Sequence, residues 1–232
     1  MFALQEASRP THLAEIVRRE PTHLGFCDAY GLGVGGVWID PARTGHNMVW
    51  RHPWPTDIIT DLVTSTNHQG TITNSDLELA ALVIQEATLL VAVPTALMAT
   101  PRSGYDNTPT VSWSTCEAST INQVVGYLLC IRSLHSRMFF LNPSVSYHPS
   151  QENCMADDAS CLFYLSDTEF ITHISIVHPQ SHSSWQISFP PPELRSCMVS
   201  TLHRKPCNPA LLKMRESRGY IGSGPTSMTP CW

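Results

Sequence analysis

Between residues 22 and 50 short apolar runs alternate with turn-forming residues: HLGFCDAY over 23–30, VGGVWI over 34–39 and NMVW over 47–50. Runs of four to eight residues, bounded by Gly-rich or Pro-containing stretches, predict strands, and their close succession predicts an antiparallel meander. A polar stretch from Pro53 to Asn74 follows. Apolar residues then recur at Leu77, Ala80, Ala81, Ile84, Ala87 and Val91, the spacing of one helical face. Ser75 or Asn74 is placed to cap this helix, with Glu78 three residues beyond Ser75 as the reciprocal partner of a capping box. A fourth apolar run exits at Asp106, residues 121–140 carry a second amphipathic helix, 144–148 a further strand and 153–165 a closing helix.

Strands that follow a helical crossover favour parallel pairing. The order therefore predicts an α/β fold, a five-stranded mixed sheet with helices packed on it. The periodic region spans 22–165 and is read as one domain. Before it, LAEIVRRE over 13–20 is a short helical piece stopped by Pro21, so 1–21 is read as a linker from an upstream region. After it the periodicity fades into stretches rich in Pro, Ser and Gly, which predict a linker or poorly ordered tail over 166–232. No internal repeat is visible.

Composition narrows the classes. A net charge of -5 provides no general basic footprint for nucleic acid, so any such partner must be met by a local surface. The eight cysteines form no C-x-x-C pair, and the N-terminus carries Glu6 and Arg9 where a secretory signal would be apolar. Both predict an intracellular protein, cytoplasmic or nuclear. The most apolar stretch, 77–98, is interrupted by Glu78, Gln85 and Glu86, which argues against a membrane span.

Four acidic residues fall where this architecture can gather them: Asp28 in the first strand, Glu78 at the start of the first long helix, Asp106 after the fourth strand, and Asp157 in the closing helix. Each has a plainer reading. Asp28 and Asp106 sit beside turn formers, Glu78 can be a capping partner, and Asp157 beside Asp158 can be a solvated helix charge. Together they form a set of oxygen donors suited to magnesium, and carboxylates that converge repel one another unless cations join them.

The chain resembles the ribonuclease H domains of gypsy-type and tyrosine-recombinase retrotransposons across roughly 22–165. The resemblance rests on four motifs in the family's order. CDAYGLGVGGVW over 27–38 is similar to the family's first-strand motif, and SDLELAAL over 75–82 to its first helix. GYDNTPTVSW over 104–113 follows the fourth strand, and PSQENCMADDASC over 149–161 resembles the closing motif.

The resemblance implies a ribonuclease H-like fold and metal-dependent hydrolysis of the RNA strand of an RNA-DNA hybrid, within a polyprotein that also carries a reverse transcriptase domain. It implies two Mg2+ ions, with Mn2+ as a substitute. Asp28 would bridge them, Glu78 and Asp106 would hold one, and Asp157 the other. Asn107 and Gln151 are polar residues near enough in sequence to contact sugar or phosphate, and His148, ahead of the last carboxylate, is a phosphate contact or an ordinary strand-end residue. Two positions depart from the family pattern: Ser150 stands in place of Gly, where a turn favours positive φ, and Cys161 in place of Arg. These departures keep open an alternative, a chain of the same fold that no longer cuts and serves nucleic-acid binding or a structural role.

Overall fold

The computed structural model describes residues 20–41, 47–93, 99–116, 122–180 and 184–205. The expected linker at 1–21 lies almost wholly outside them, as does the end of the expected tail. The three expected strands are present as β1 (His23–Tyr30), β2 (Gly33–Ile39) and β3 (Asn47–Pro53), paired antiparallel in sequence order. A short helix α1 (Thr56–Thr60) and the long helix α2 (Asn74–Ala92) cross to β4 (Pro101–Tyr105), which lies parallel to β1. Helices α3 (Thr108–Cys116) and α4 (Gln123–Phe139) then cross to β5 (Ser144–Tyr147), parallel to β4. A single 3-10 turn over Ser150–Glu152 leads into α5 (Cys154–Cys161).

The mixed α/β architecture is as expected, but the sheet has six strands, not five, in the order β5-β4-β1-β2-β3-β6. The sixth comes from the segment expected to be a linker. Residues 167–202 fold as α6 (Asp167–Val177), β6 (Trp185–Ser188) and α7 (Pro192–Leu202), with β6 parallel to β3. Their composition concealed start signals. Ser166 caps α6 in a reciprocal box with Glu169, and the run of prolines ends by placing Pro192 in the first turn of α7, where a fixed φ is preorganised for a helix.

Helices α2, α4 and α7 cover one face of the sheet, while α5 and α6 cover the other. The sequence assigned α2 a single apolar face. In the structure it is buried all round from Asp76 to Leu90, because α4 and α7 cover its outer side with Leu128, Leu194 and Met198.

A buried glutamine sets how α2 lies on the sheet. The Gln85 side chain donates to the carbonyls of Val37 (2.8 Å) and Phe26 (3.4 Å) and accepts from the Trp50 indole N–H. The Trp38 indole donates to the Gln85 backbone carbonyl at 2.9 Å. This approach depends on Gly36, where a Cβ would fall 2.6 Å from that of Cys27 and 2.8 Å from Gln85 Oε1. The neighbouring glycine does the same on the opposite face: a Cβ on Gly35 would meet the backbone of Ala159 in α5 at 2.4 Å. The GG pair thus lets one helix close on each side of β2.

Candidate metal centre

Strands β1 and β4 are parallel neighbours, so their carboxyl ends open on the same edge of the sheet. Asp28 stands near the end of β1 and Asp106 directly after β4. This is the edge where open α/β sheets commonly bind ligands. Helix α2 begins there too, and brings Glu78 in from the opposite layer.

The cap differs from the expected one. Thr73, with extended backbone, is the N-cap, and Asp76 completes the capping box. Glu78 is therefore released from the capping role that the sequence allowed it. It takes a long contact of 3.4 Å from Asn74 Nδ2 to its Oε1, and its other hydrogen-bonding neighbours are the Asp28 carboxyl and the Ala29 backbone. Carboxylate oxygens of Asp28, Glu78 and Asp106 lie within 4.8 Å of one another.

Helix α5 completes the surroundings by crossing close over Gly35, the residue opposite Asp28 in the β1–β2 ladder. It places Ser160 Oγ, as donor, 2.5 Å from Asp28 Oδ2. Asp157 lies one turn earlier on α5, outside the close trio but near enough that Asp28 and Asp106 disturb its charge. Asn153, buried at the head of α5, donates to the Cys27 carbonyl at 3.4 Å and ties the helix to β1.

The electrostatics follow from burial and like charge. Burial holds the Glu78 carboxyl well above the usual glutamate range, and the charges of Asp28 and Asp106 push it further the same way. Asp28 is raised chiefly by burial, with the Ser160 hydrogen bond opposing the shift and Asp106 adding to it. Asp157 is raised to about 6 by burial first and then by Asp28, Asp106 and Asp158. Among the described residues no lysine or arginine is paired with the trio.

Glu78 Oε2 is buried without a hydrogen-bond partner, so a strong acceptor is held out of water with nothing to accept from. An all-oxygen, all-anionic donor set with one oxygen unengaged fits a hard divalent cation such as Mg2+ or Mn2+.

The remaining sequence candidates are more dispersed. Asn107 Oδ1 accepts from Thr110 N at 3.0 Å, an engagement at the start of α3, and its Nδ2 reaches Ser75 Oγ at 3.5 Å. His148 stacks on Phe26 with ring centroids 4.9 Å apart, and its Nδ1 lies 3.3 Å from Glu152 Oε2. Gln151 is exposed in the 3-10 turn. Ser160 was not among the sequence candidates. Its position three residues after Asp157, one helical turn away, was the available signal.

Neither protein-family models nor curated proteins match the chain. Among solved structures it is similar to a ribonuclease H1 isolated from compost by a metagenomic approach, with 17% identity and a TM-score of 0.43, over 60% of this chain and 91% of that one.

Proposed function

We propose that this chain is a metal-dependent endonuclease that hydrolyses the RNA strand of RNA-DNA hybrids, as the ribonuclease H domain of a retrotransposon polyprotein with a reverse transcriptase domain. One observation carries the reading. Three carboxylates from segments 50 and 28 residues apart in sequence converge within 4.8 Å, in the order that the four-motif resemblance implies.

Two divalent cations, when bound, supply an activated water and stabilise the leaving oxygen of the phosphodiester. Asp28 would be the ligand shared by the cations, and the Ser160 hydroxyl, donating to Oδ2, would orient its carboxylate. Glu78 and Asp106 would hold one cation and Asp157 the other. The raised carboxyls of Glu78 and Asp157 give up protons as the site fills, so binding strengthens with pH. Asn107, His148 and Gln151 would supply the contacts to sugar or phosphate.

The alternative of an inactive relative rested on Ser150 and Cys161. Among the described non-glycine residues only Phe140 and Arg204 have positive φ, so Ser150 carries no left-handed strain. Cys161 is exposed at the end of α5 and leaves the trio intact. The carboxylate geometry therefore favours the enzyme.

The test is incubation of the purified chain with an end-labelled RNA-DNA hybrid, with and without Mg2+, beside Asp28→Asn and Glu78→Gln. Mg2+-dependent loss of the RNA strand, absent in both variants, is expected. Cleavage indifferent to these substitutions removes the site assignment. A folded chain that binds hybrid and leaves it intact supports the alternative.

A further inference from the structure

The cations of this chain are unevenly placed. Of the seven described lysines and arginines, Arg51 and Arg132 are buried in ion pairs with Asp167 and Glu86. Three of the other five, Arg195, Arg204 and Lys205, belong to α7 or its C-terminal cap, in the segment whose composition had suggested a tail.

That cap is built with some strain. Arg204 has φ 58°, the left-handed position after a helix that glycine ordinarily fills. Its N–H bonds the Thr201 carbonyl at 2.8 Å, and the Lys205 N–H bonds that of Ser200 at 2.9 Å. A bulky side chain kept at a backbone position that disfavours it points to a use for that side chain.

The cap also has a defined neighbour. Arg204 Nη2 donates to the Thr71 carbonyl at 3.1 Å, and His203 Nε2 lies 2.9 Å from Asp57 Oδ2. Leu62 bridges Ile72, and a Cβ on Gly31 would touch Leu62 at 3.5 Å, so loop 61–73 lies between the β1–β2 turn and the α7 cap. That loop runs directly into Thr73, the cap of α2. Glu78 lies five residues further on, about 7.5 Å along the helix axis. The carboxylates nearby have partners of their own: Asp57 meets His203, Asp61 accepts from the Thr71 amide and hydroxyl, and Asp76 closes the capping box with Thr73. Arg204 and Lys205 are exposed.

The geometry points to Arg204 and Lys205 as a phosphate-binding hook that holds the nucleic-acid backbone beside the carboxylate centre. This rests on the nuclease reading for its substrate. It explains how a chain of net charge -5 meets a polyanion. Because the cap contacts the loop that leads straight into the helix carrying Glu78, a phosphate held there belongs to the same strand segment that approaches the carboxylates. The contact carries affinity and placement and no sequence preference.

Fluorescence anisotropy of a labelled RNA-DNA hybrid tests this, in an Asp28→Asn background with Mg2+ so that the probe stays whole. Arg204→Gln and Lys205→Gln should each weaken binding roughly five- to ten-fold at 0.1 M salt and lower the slope of log K against log salt by about 1. Arg204→Lys should restore the slope, which a purely structural role for the Thr71 contact would not do. Arg102→Gln, an exposed cation at the opposite end of β4, is the control and should leave the slope unchanged.

An unchanged slope in the first two variants, an equal loss in all three glutamine variants, or no binding of hybrid by the parent overturns the proposal. If the chain with Asp28 intact cuts nothing while Arg204→Gln still lowers the salt slope, the nuclease reading fails and the hook stands.

Discussion

Eight residues apart on α2, Glu78 and Glu86 are both withdrawn from water, with 3% and 1% of their surface exposed. Their companions differ. Glu86 meets Arg132 at 2.9 Å, and the same guanidinium donates to the Ser114 carbonyl from α3. Glu78 meets Asp28 and Asp106. Two unit charges 4 Å apart interact by about 4 kcal/mol at an effective dielectric of 20, which favours the charged form of Glu86 beside Arg132 and disfavours that of Glu78 beside two carboxylates. One helix therefore carries a glutamate beside a counter-charge in its middle and a glutamate among like charges at its head. The middle pair locks α2 to α4. The head, at the open edge of the sheet, gathers negative charge that a cation from solution would offset.

The largest effect should come from breaking the middle pair. Arg132→Met leaves a buried carboxylate without its counter-charge and should destabilise the fold by about 3–5 kcal/mol in urea unfolding, whereas Glu86→Leu with Arg132→Met should recover most of the loss. Equal destabilisation in the double variant would mean that the pair does more than neutralise itself. Next is Ser160→Ala, which removes the donor from Asp28 without touching the carboxylates. Divalent-cation affinity should fall about ten-fold by calorimetry, with little change in metal-free stability.

Removing charge at the head should have the opposite sign from removing it in the middle. Metal-free Glu78→Gln is expected to be more stable than the parent at pH 7 by about 1 kcal/mol, a rise in melting temperature of about 2–4 °C, and to lose its response to Mg2+. A lower melting temperature would show that Glu78 is held by interactions other than the repulsive trio.

The smallest effect is the pH response of Asp157. Its carboxyl stands at about 6 in the folded chain against an ordinary value of 3.8, so the folded state binds the proton more tightly than the unfolded one. The resulting stabilisation is complete below about pH 4 and is lost as pH rises through about 6. The urea midpoint of Asp157→Asn should accordingly lack the decline between pH 4.5 and 7 that this group contributes to the metal-free parent.

The same contrast explains what could be read from the sequence. The strands of the meander were legible because short apolar runs bounded by turn residues mark them, and the trio because Asp28 and Asp106 sit at strand ends while Glu78 opens a periodic helix. The cap was misplaced because Thr73, Asn74 and Ser75 are all competent caps, and only the extended backbone at Thr73 decides among them. The all-round burial of α2 was signalled by Leu79, Leu82, Val83, Leu89 and Leu90, which lie off the face assigned to the core. It could not be interpreted while α7 was taken for a tail. Helix α7 itself was hidden by Pro190, Pro191 and Pro192, which read as a linker and serve as a helix entrance. Ser160 was one serine among many, singled out only by the close crossing at Gly35.

The central claim is that the head of α2 and the ends of β1 and β4 form a site that divalent cations complete. The most direct measurement is isothermal titration of the metal-free chain with Mn2+ at pH 7, in parallel with Asp28→Asn. Saturable binding that releases protons and disappears with the substitution is expected. No binding by the folded parent, or binding that Asp28→Asn leaves unaltered, would contradict it.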